Sequence, residues 1–173
     1  MKLSFYFLFL CVMLSACGEE EVAEKEVNWT KTQSTDLNKE ITIREKIDIE
    51  LFIDRHPSWK MEETGSGLFF YKYEEGTGLE AVSRSRAQVQ FSISLLDGTM
   101  CYETGSDEVV EEFQIDHSHV ETGVQEGIKR MREGDKVKMI IPSHLAHGLS
   151  GDLNKIPPLT PIVVDLNLYK IVR

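Results

Sequence analysis

Residues 120–148 read VETGVQEGIKRMREGDKVKMIIPSHLAHG, and after a short loop residues 155–172 read KIPPLTPIVVDLNLYKIV. Thr122 and Gln125 stand at the spacing of a capping box, and Val124, Ile128 and Met131 then share one helix face. Gly134-Asp135 is the expected end of that helix. Lys136–Pro142 and Pro161–Val172 are apolar or alternating, the pattern of strands with at least one buried face. Pro157-Pro158 is a rigid turn between them.

The same pattern continues upstream. Leu68–Tyr73 is aromatic-rich and strand-like, and residues 74–78 form a turn. Ala87–Leu96 places Val89, Phe91, Ile93 and Leu95 on one face, Asp97-Gly98 is a hairpin signal, and Thr99–Glu103 returns as a strand. Glu112–Asp116 is one more short strand, through Phe113 and Ile115. One short helix against a curved antiparallel sheet is an α+β fold.

Three segments precede this domain. Lys2 and an apolar run from Phe5 to Leu14 are too short to span a bilayer and fit a signal peptide over residues 1–16. The run ends in Leu14-Ser15-Ala16-Cys17, the order of a lipoprotein signal, so Cys17 is the expected lipidation site. Residues 17–33 read as an acidic tether that opens with Glu19-Glu20-Glu21. Residues 34–64 are an N-terminal helical extension, with Asp36 as its cap and Pro57 past its end. Ile47, Ile49, Leu51 and Ile53 alternate as in a strand, but Ile43, Ile47 and Leu51 fit one helical face, and the length favours a helix. Such a helix usually covers its own domain; the alternative is a partner helix.

Charge excludes one class of partner. The 173-residue chain carries a formal charge of −10, and loss of residues 1–16 removes Lys2 and no acid, giving −11. Nucleic acid, which demands Lys and Arg, is therefore not expected. Of three cysteines, Cys11 lies in the signal and Cys17 is the lipidation site, so Cys101 has no disulfide partner.

Four blocks, AQVQFSISLLDGTMCY, VETGVQEGIKRMREGDKVKMIIP, SHLAHG and KIPPLTPIVVDLNLYKI, resemble in order the FKBP-type peptidyl-prolyl cis/trans isomerases over residues 65–173. Seven residues separate Gly148 from Ile156, which leaves no room for the chaperone domain some bacterial members insert there. With the signal sequence, the motifs look closest to lipoprotein FKBPs of the Bacteroidota, including the gliding-motility branch. The resemblance implies a curved sheet wrapped on one short helix, no cofactor, and proline-containing polypeptides as substrates. It also implies a lipid-anchored place in the cell envelope, most simply the outer membrane.

Prolyl isomerisation needs no nucleophile and no metal. The planar amide is held by a barrier of ~18–20 kcal/mol, and the twisted transition state has lost amide resonance. A dry apolar pocket with a few donors therefore suffices. Carried over position by position, the resemblance implies His147, Phe91 and Tyr102 as the catalytic set. His147 stands where a Tyr hydroxyl donates to the substrate carbonyl, Phe91 where a strand Tyr is usual, and Tyr102 where an Asp is usual. The implied substrate-binding set is Cys101, Phe113, Val120, Glu121, Val124, Ile156 and Val164. Val124 replaces a floor Trp and Val164 a wall aromatic. Trp buries up to ~250 Å2, so a Val floor forgoes on the order of 100 Å2, or roughly 2.5 kcal/mol at ~25 cal/mol/Å2. A modest isomerase with altered sequence preference is expected, or alternatively an FKBP-fold binding module. The pairs His117/His119 and His144/His147 are too sparse to predict a metal site.

Overall fold

Apolar side chains on alternate positions build the sheet of this protein, seen in a computed structural model that describes residues 30–105, 110–117 and 119–173. Cys17 and the signal segment lie outside the described residues. The strands are β1 (Glu62–Glu63), β2 (Phe69–Glu74), β3 (Arg86–Leu95), β4 (Met100–Glu103), β5 (Glu111–Gln114), β6 (Lys136–Ile141) and β7 (Ile162–Val172). The helices are α1 (Lys31–Asp54) and α2 (Thr122–Ile128), with a 3-10 turn at Ser143–Leu145. The sheet order is β1-β2-β6-β7-β3-β4, and every pairing is antiparallel. The outer edge of β3 is divided: Arg86–Val89 pairs with β5, and Ser92–Ser94 pairs with β4. Thr35–Arg173 forms one unit. The mixed α/β architecture with an antiparallel open sheet is the expected class.

The middle of the sheet is covered on both faces, which is why β6 and β7 read as nearly continuous apolar runs. Met139, Ile141, Ile162 and Val164 join the main core under α2, with Val89, Ile128, Leu166 and Leu168. Ile140 and Val163, on the opposite face, pack with Phe69 against Ile49 and Phe52 of α1. The N-terminal helix thus covers its own domain. No helix among the described residues is long and apolar enough to cross a membrane.

Four local expectations are corrected. The α1 cap is Thr30, not Asp36. Its Oγ1 accepts the Gln33 N–H at 3.3 Å, and Gln33 Oε1 accepts the Thr30 N–H at 2.9 Å, a reciprocal capping box that starts the helix earlier. The buried face of α1 is Glu45, Ile49 and Phe52, whereas Ile43, Ile47 and Leu51 are 62%, 49% and 53% exposed. Phe52, stacked with His56 and Trp59, supplies aromatic bulk that turns this face inward. At α2, Gln125 does not close a capping box with Thr122. Its Oε1 accepts the Asp116 N–H at 2.9 Å, in a turn where Asp116 has φ 62°. The helix also stops at Ile128 rather than Gly134, because the backbone of Met131 and Arg132 pairs with residues 80–81.

Two glycines let α2 lie close on β6. A Cβ on Gly123 would fall 2.3 Å from Ile141 Cγ2, and one on Gly127 would fall 2.1 Å from Met139 Sδ. Met139 is fully buried, so its sulfur has no free space to move into. Gly127→Val is expected to cost about 1–3 kcal/mol. The thermal midpoint checks this, falling roughly 2–4 °C per kcal/mol for a chain of this size.

Candidate active site

A cavity of about 520 Å3 opens between the concave face of the sheet and the start of α2. That volume lies within the range of small-ligand clefts. Alternation along β3 aims Val89, Phe91 and Ile93 into it, and β7 adds Val164 and Leu166 from the neighbouring strand. Phe113 of β5 forms another wall, and Val124 of α2 the floor. Val120 and Glu121, in the loop before α2, stand at the mouth with His147.

Of the residues implied by the sequence, eight meet at this cavity: Phe91, Tyr102, Phe113, Val120, Glu121, Val124, His147 and Val164. Cys101 and Ile156, each 2% exposed, lie in the main core instead of on the cavity surface. Burial pushes the Cys101 thiol pKa up, so it stays protonated and inert.

His147 lines the cavity together with the apolar walls. The 3-10 turn and the following loop carry it, and the Ser143 carbonyl ties that loop by accepting the Ala146 N–H at 3.0 Å and the Gly148 N–H at 2.8 Å. The imidazole Nε2 stands 3.1 Å from Glu121 Oε1, and both side chains are about one-fifth exposed. The two residues therefore bridge the mouth.

Tyr102 is held by a network that the sequence reading missed. Its hydroxyl donates to Asp152, and the Asn154 side-chain amide donates to that hydroxyl at 3.2 Å. Asp152 Oδ1 also accepts the N–H groups of Ile156 at 2.7 Å and Asn154 at 2.9 Å. Burial alone would raise the Asp152 carboxyl, but the Tyr102 hydroxyl and the backbone donors of Ile156, Asn154 and Lys155 lower it to about 2. The same hydrogen bond raises the Tyr102 phenol above its ordinary value. Lys155 lies over the Tyr102 ring at 4.8 Å and donates to the Cys101 carbonyl at 2.6 Å. The loop of residues 149–158 is thus fastened to β4 through Tyr102. The Asx-turn spacing of Asp152 and Asn154 was the available signal.

The rim is acidic. Glu103, Glu111, Glu112, Glu121 and Asp152 line it, and among the described residues no Lys or Arg does. Nor does any group of three His, Cys, Asp or Glu side chains among the described residues converge to hold a metal ion.

Comparison with known proteins agrees with this geometry. The family model of FKBP-type peptidyl-prolyl cis-trans isomerase matches residues 78–169. A macrophage infectivity potentiator of Trypanosoma cruzi is 33% identical over 107 residues, covering 61% of this chain and 54% of its own length. The isomerase FkpA of Buchnera aphidicola from Acyrthosiphon pisum is 26% identical over 160 residues, covering 90% of this chain and 62% of its own. The crystal structure of FkpA from Escherichia coli superimposes with a TM-score of 0.66 at 25% identity, covering 81% of this chain and 64% of that one. The chain therefore spans little more than half the length of the first of these relatives and about three fifths of the second. A family model matched across more than half of the chain, on a sheet and helix that enclose the expected apolar pocket, places this protein in the FKBP-type peptidyl-prolyl cis-trans isomerase family.

Proposed function

We propose that the chain is a peptidyl-prolyl cis/trans isomerase that assists exported proteins folding in the cell envelope. The observation that carries this reading is the cavity itself: apolar walls of Phe91, Phe113, Val124 and Val164 with one imidazole at the mouth. A prolyl ring enters between these walls, and the amide before it twists in a site with little water. Twisting removes amide resonance and returns charge from the carbonyl oxygen to the nitrogen, so the apolar site favours the less polar transition state, and a donor at the mouth holds the carbonyl in place while the amide turns. His147 is that donor, and the substrate carbonyl competes with Glu121 for it. Phe91 and Tyr102 shape the wall, the latter fixed through Asp152. The acidic rim favours substrates with a cation beside the proline.

Envelope placement rests on the signal order of Lys2, the apolar run and Leu14-Ser15-Ala16-Cys17. In this reading Cys17 is lipidated, as in lipoprotein FKBPs of the Bacteroidota. Several acyl chains, each contributing ~0.8 kcal/mol per buried CH2, then hold the protein on the outer membrane.

A second reading, a binding module without useful turnover, is favoured by the engaged imidazole and the small Val124 floor. Exchange NMR of short Lys-Pro and Glu-Pro peptides, with the whole chain and its His147→Tyr variant, decides between them. The expected result is faster cis-to-trans exchange above buffer, the Lys-Pro peptide being the better substrate and losing more of its advantage in high salt. Saturable binding with no acceleration by either chain would establish the binding module.

A further inference from the structure

Glu45 breaks the pattern of the helix face on which it sits. It shares that face with Ile49 and Phe52 and is only 8% exposed. A carboxylate on a buried face is costly unless it is hydrogen-bonded. Both of its oxygens are used, and both by one residue. Oε1 accepts the Ser143 backbone N–H, and Oε2 accepts the Ser143 hydroxyl at 2.8 Å.

Ser143 is where the chain leaves β6 after Pro142, so its N–H has no strand partner and, at 3% exposure, no ready water. It is also the hub of the loop that carries His147. The Ser143 carbonyl holds the N–H groups of Ala146 and Gly148, and the Gly148 carbonyl accepts the Leu159 N–H at 2.8 Å. The Ala146 and Gly148 contacts flank His147 on either side. A continuous set of hydrogen bonds therefore runs from α1 through Glu45 and Ser143 to the backbone that presents the imidazole.

We propose that Glu45 is a positioning residue for the pocket: α1 fixes the Ser143 hub and thereby sets where His147 meets the substrate carbonyl. The inference rests on the isomerase reading for its kinetic consequence, but not for its structural one. The N-terminal helix is then part of the catalytic apparatus as well as a cover for the sheet. A donor displaced by about 1 Å loses up to ~100-fold in rate, so a loosened hub gives a measurable defect.

The test compares Glu45→Ala, Glu45→Gln, Ser143→Ala and Ile49→Val in the whole chain, by the His147 ring resonances and by kcat and KM for prolyl exchange. Ile49→Val loosens α1 without touching Ser143 and is the control for stability alone. Glu45→Ala is expected to move and broaden the His147 resonances and to lower kcat about tenfold with KM little changed. Glu45→Gln, whose amide oxygen still accepts the Ser143 N–H, is expected to stay within about twofold of the parent. Ser143→Ala keeps the backbone bond and is expected to shift the same resonances less. The proposal is overturned if Glu45→Ala and Ser143→Ala leave His147 where Ile49→Val leaves it. If Glu45→Ala does not fold, Ser143→Ala alone decides by the same resonances. If the parent chain shows no turnover, the resonances still decide, so failure of this inference and failure of the isomerase reading stay distinguishable.

Discussion

Asp135→Ala is expected to lower the unfolding free energy by about 3–5 kcal/mol, the loss typical of removing one partner from a buried ion pair. The Asp135 side chain, just before β6, is fully buried beside β2 and the turn that follows it. Its Oδ1 accepts the Gly76 N–H at 2.6 Å, and its Oδ2 accepts the Arg132 N–H at 2.7 Å. Lys72 Nζ approaches Oδ2 at 2.6 Å. Alanine strands two backbone donors and an ammonium that is only 26% exposed. For a chain of this size the loss amounts to roughly 6–20 °C in thermal midpoint. The pH dependence has a definite sign. Burial alone would raise the Asp135 carboxyl, but Lys72 and the backbone donors of Gly76 and Arg132 outweigh it and hold the pKa below the ordinary value. The folded state therefore favours the carboxylate. Its contribution is complete above the ordinary Asp value of about 3.9 and is lost as pH falls through the lower folded value. Urea unfolding of parent and Asp135→Asn chains at pH 7 and at pH 3 checks this: the gap between them should narrow in acid. A gap that is constant or widens would assign the carboxylate no part in acid stability.

Nearly all strands were legible because alternation reports burial directly. Val89, Phe91 and Ile93 were assigned one face from sequence, and the same three side chains line the cavity. The strand and helix faces of residues 47–53 conflicted because Ile47 and Leu51 stay exposed while Ile49 and Phe52 are buried. The register of α1 was set by aromatic packing of Phe52, His56 and Trp59, which no apolar count reveals. Polar partners were the least legible. Gln125 stands at a correct capping-box spacing but serves the Asp116 turn, and Glu45 lies 98 residues from Ser143. The Tyr102–Asp152 bond joins residues 50 apart. Spacing along a chain cannot predict such pairs, because they depend on how the sheet closes. Cys101 and Ile156 differ from the other implied site residues for the same reason. Both are buried in the main core, and Ile156 is itself held in the fastened loop by its N–H to Asp152.

Val124→Trp is expected to raise kcat/KM for prolyl peptides by about tenfold or more, approaching but not reaching a hundredfold. The parent floor is a valine in the first turn of α2, 5% exposed, beneath a cavity of about 520 Å3. An indole there adds on the order of 100 Å2 of apolar contact, worth roughly 2.5 kcal/mol at ~25 cal/mol/Å2. The helix cannot move inward to make room, because Gly123 and Gly127 already hold it against Ile141 and Met139. The added ring is therefore directed into the cavity, toward Phe91, Phe113 and Val164. Contact made equally with ground and transition states lowers KM, whereas contact that grows as the ring is pressed into the floor during twisting raises kcat. Kinetics with parent, Val124→Phe and Val124→Trp chains separate the two, and the thermal midpoint reports whether the larger ring is accommodated. A graded gain across the series would show that the valine floor limits turnover. Loss of activity in a chain that melts at the parent temperature would show that the cavity is shaped for a ligand other than a prolyl ring, in which case the small floor is an adaptation to that ligand and not a weakened isomerase site.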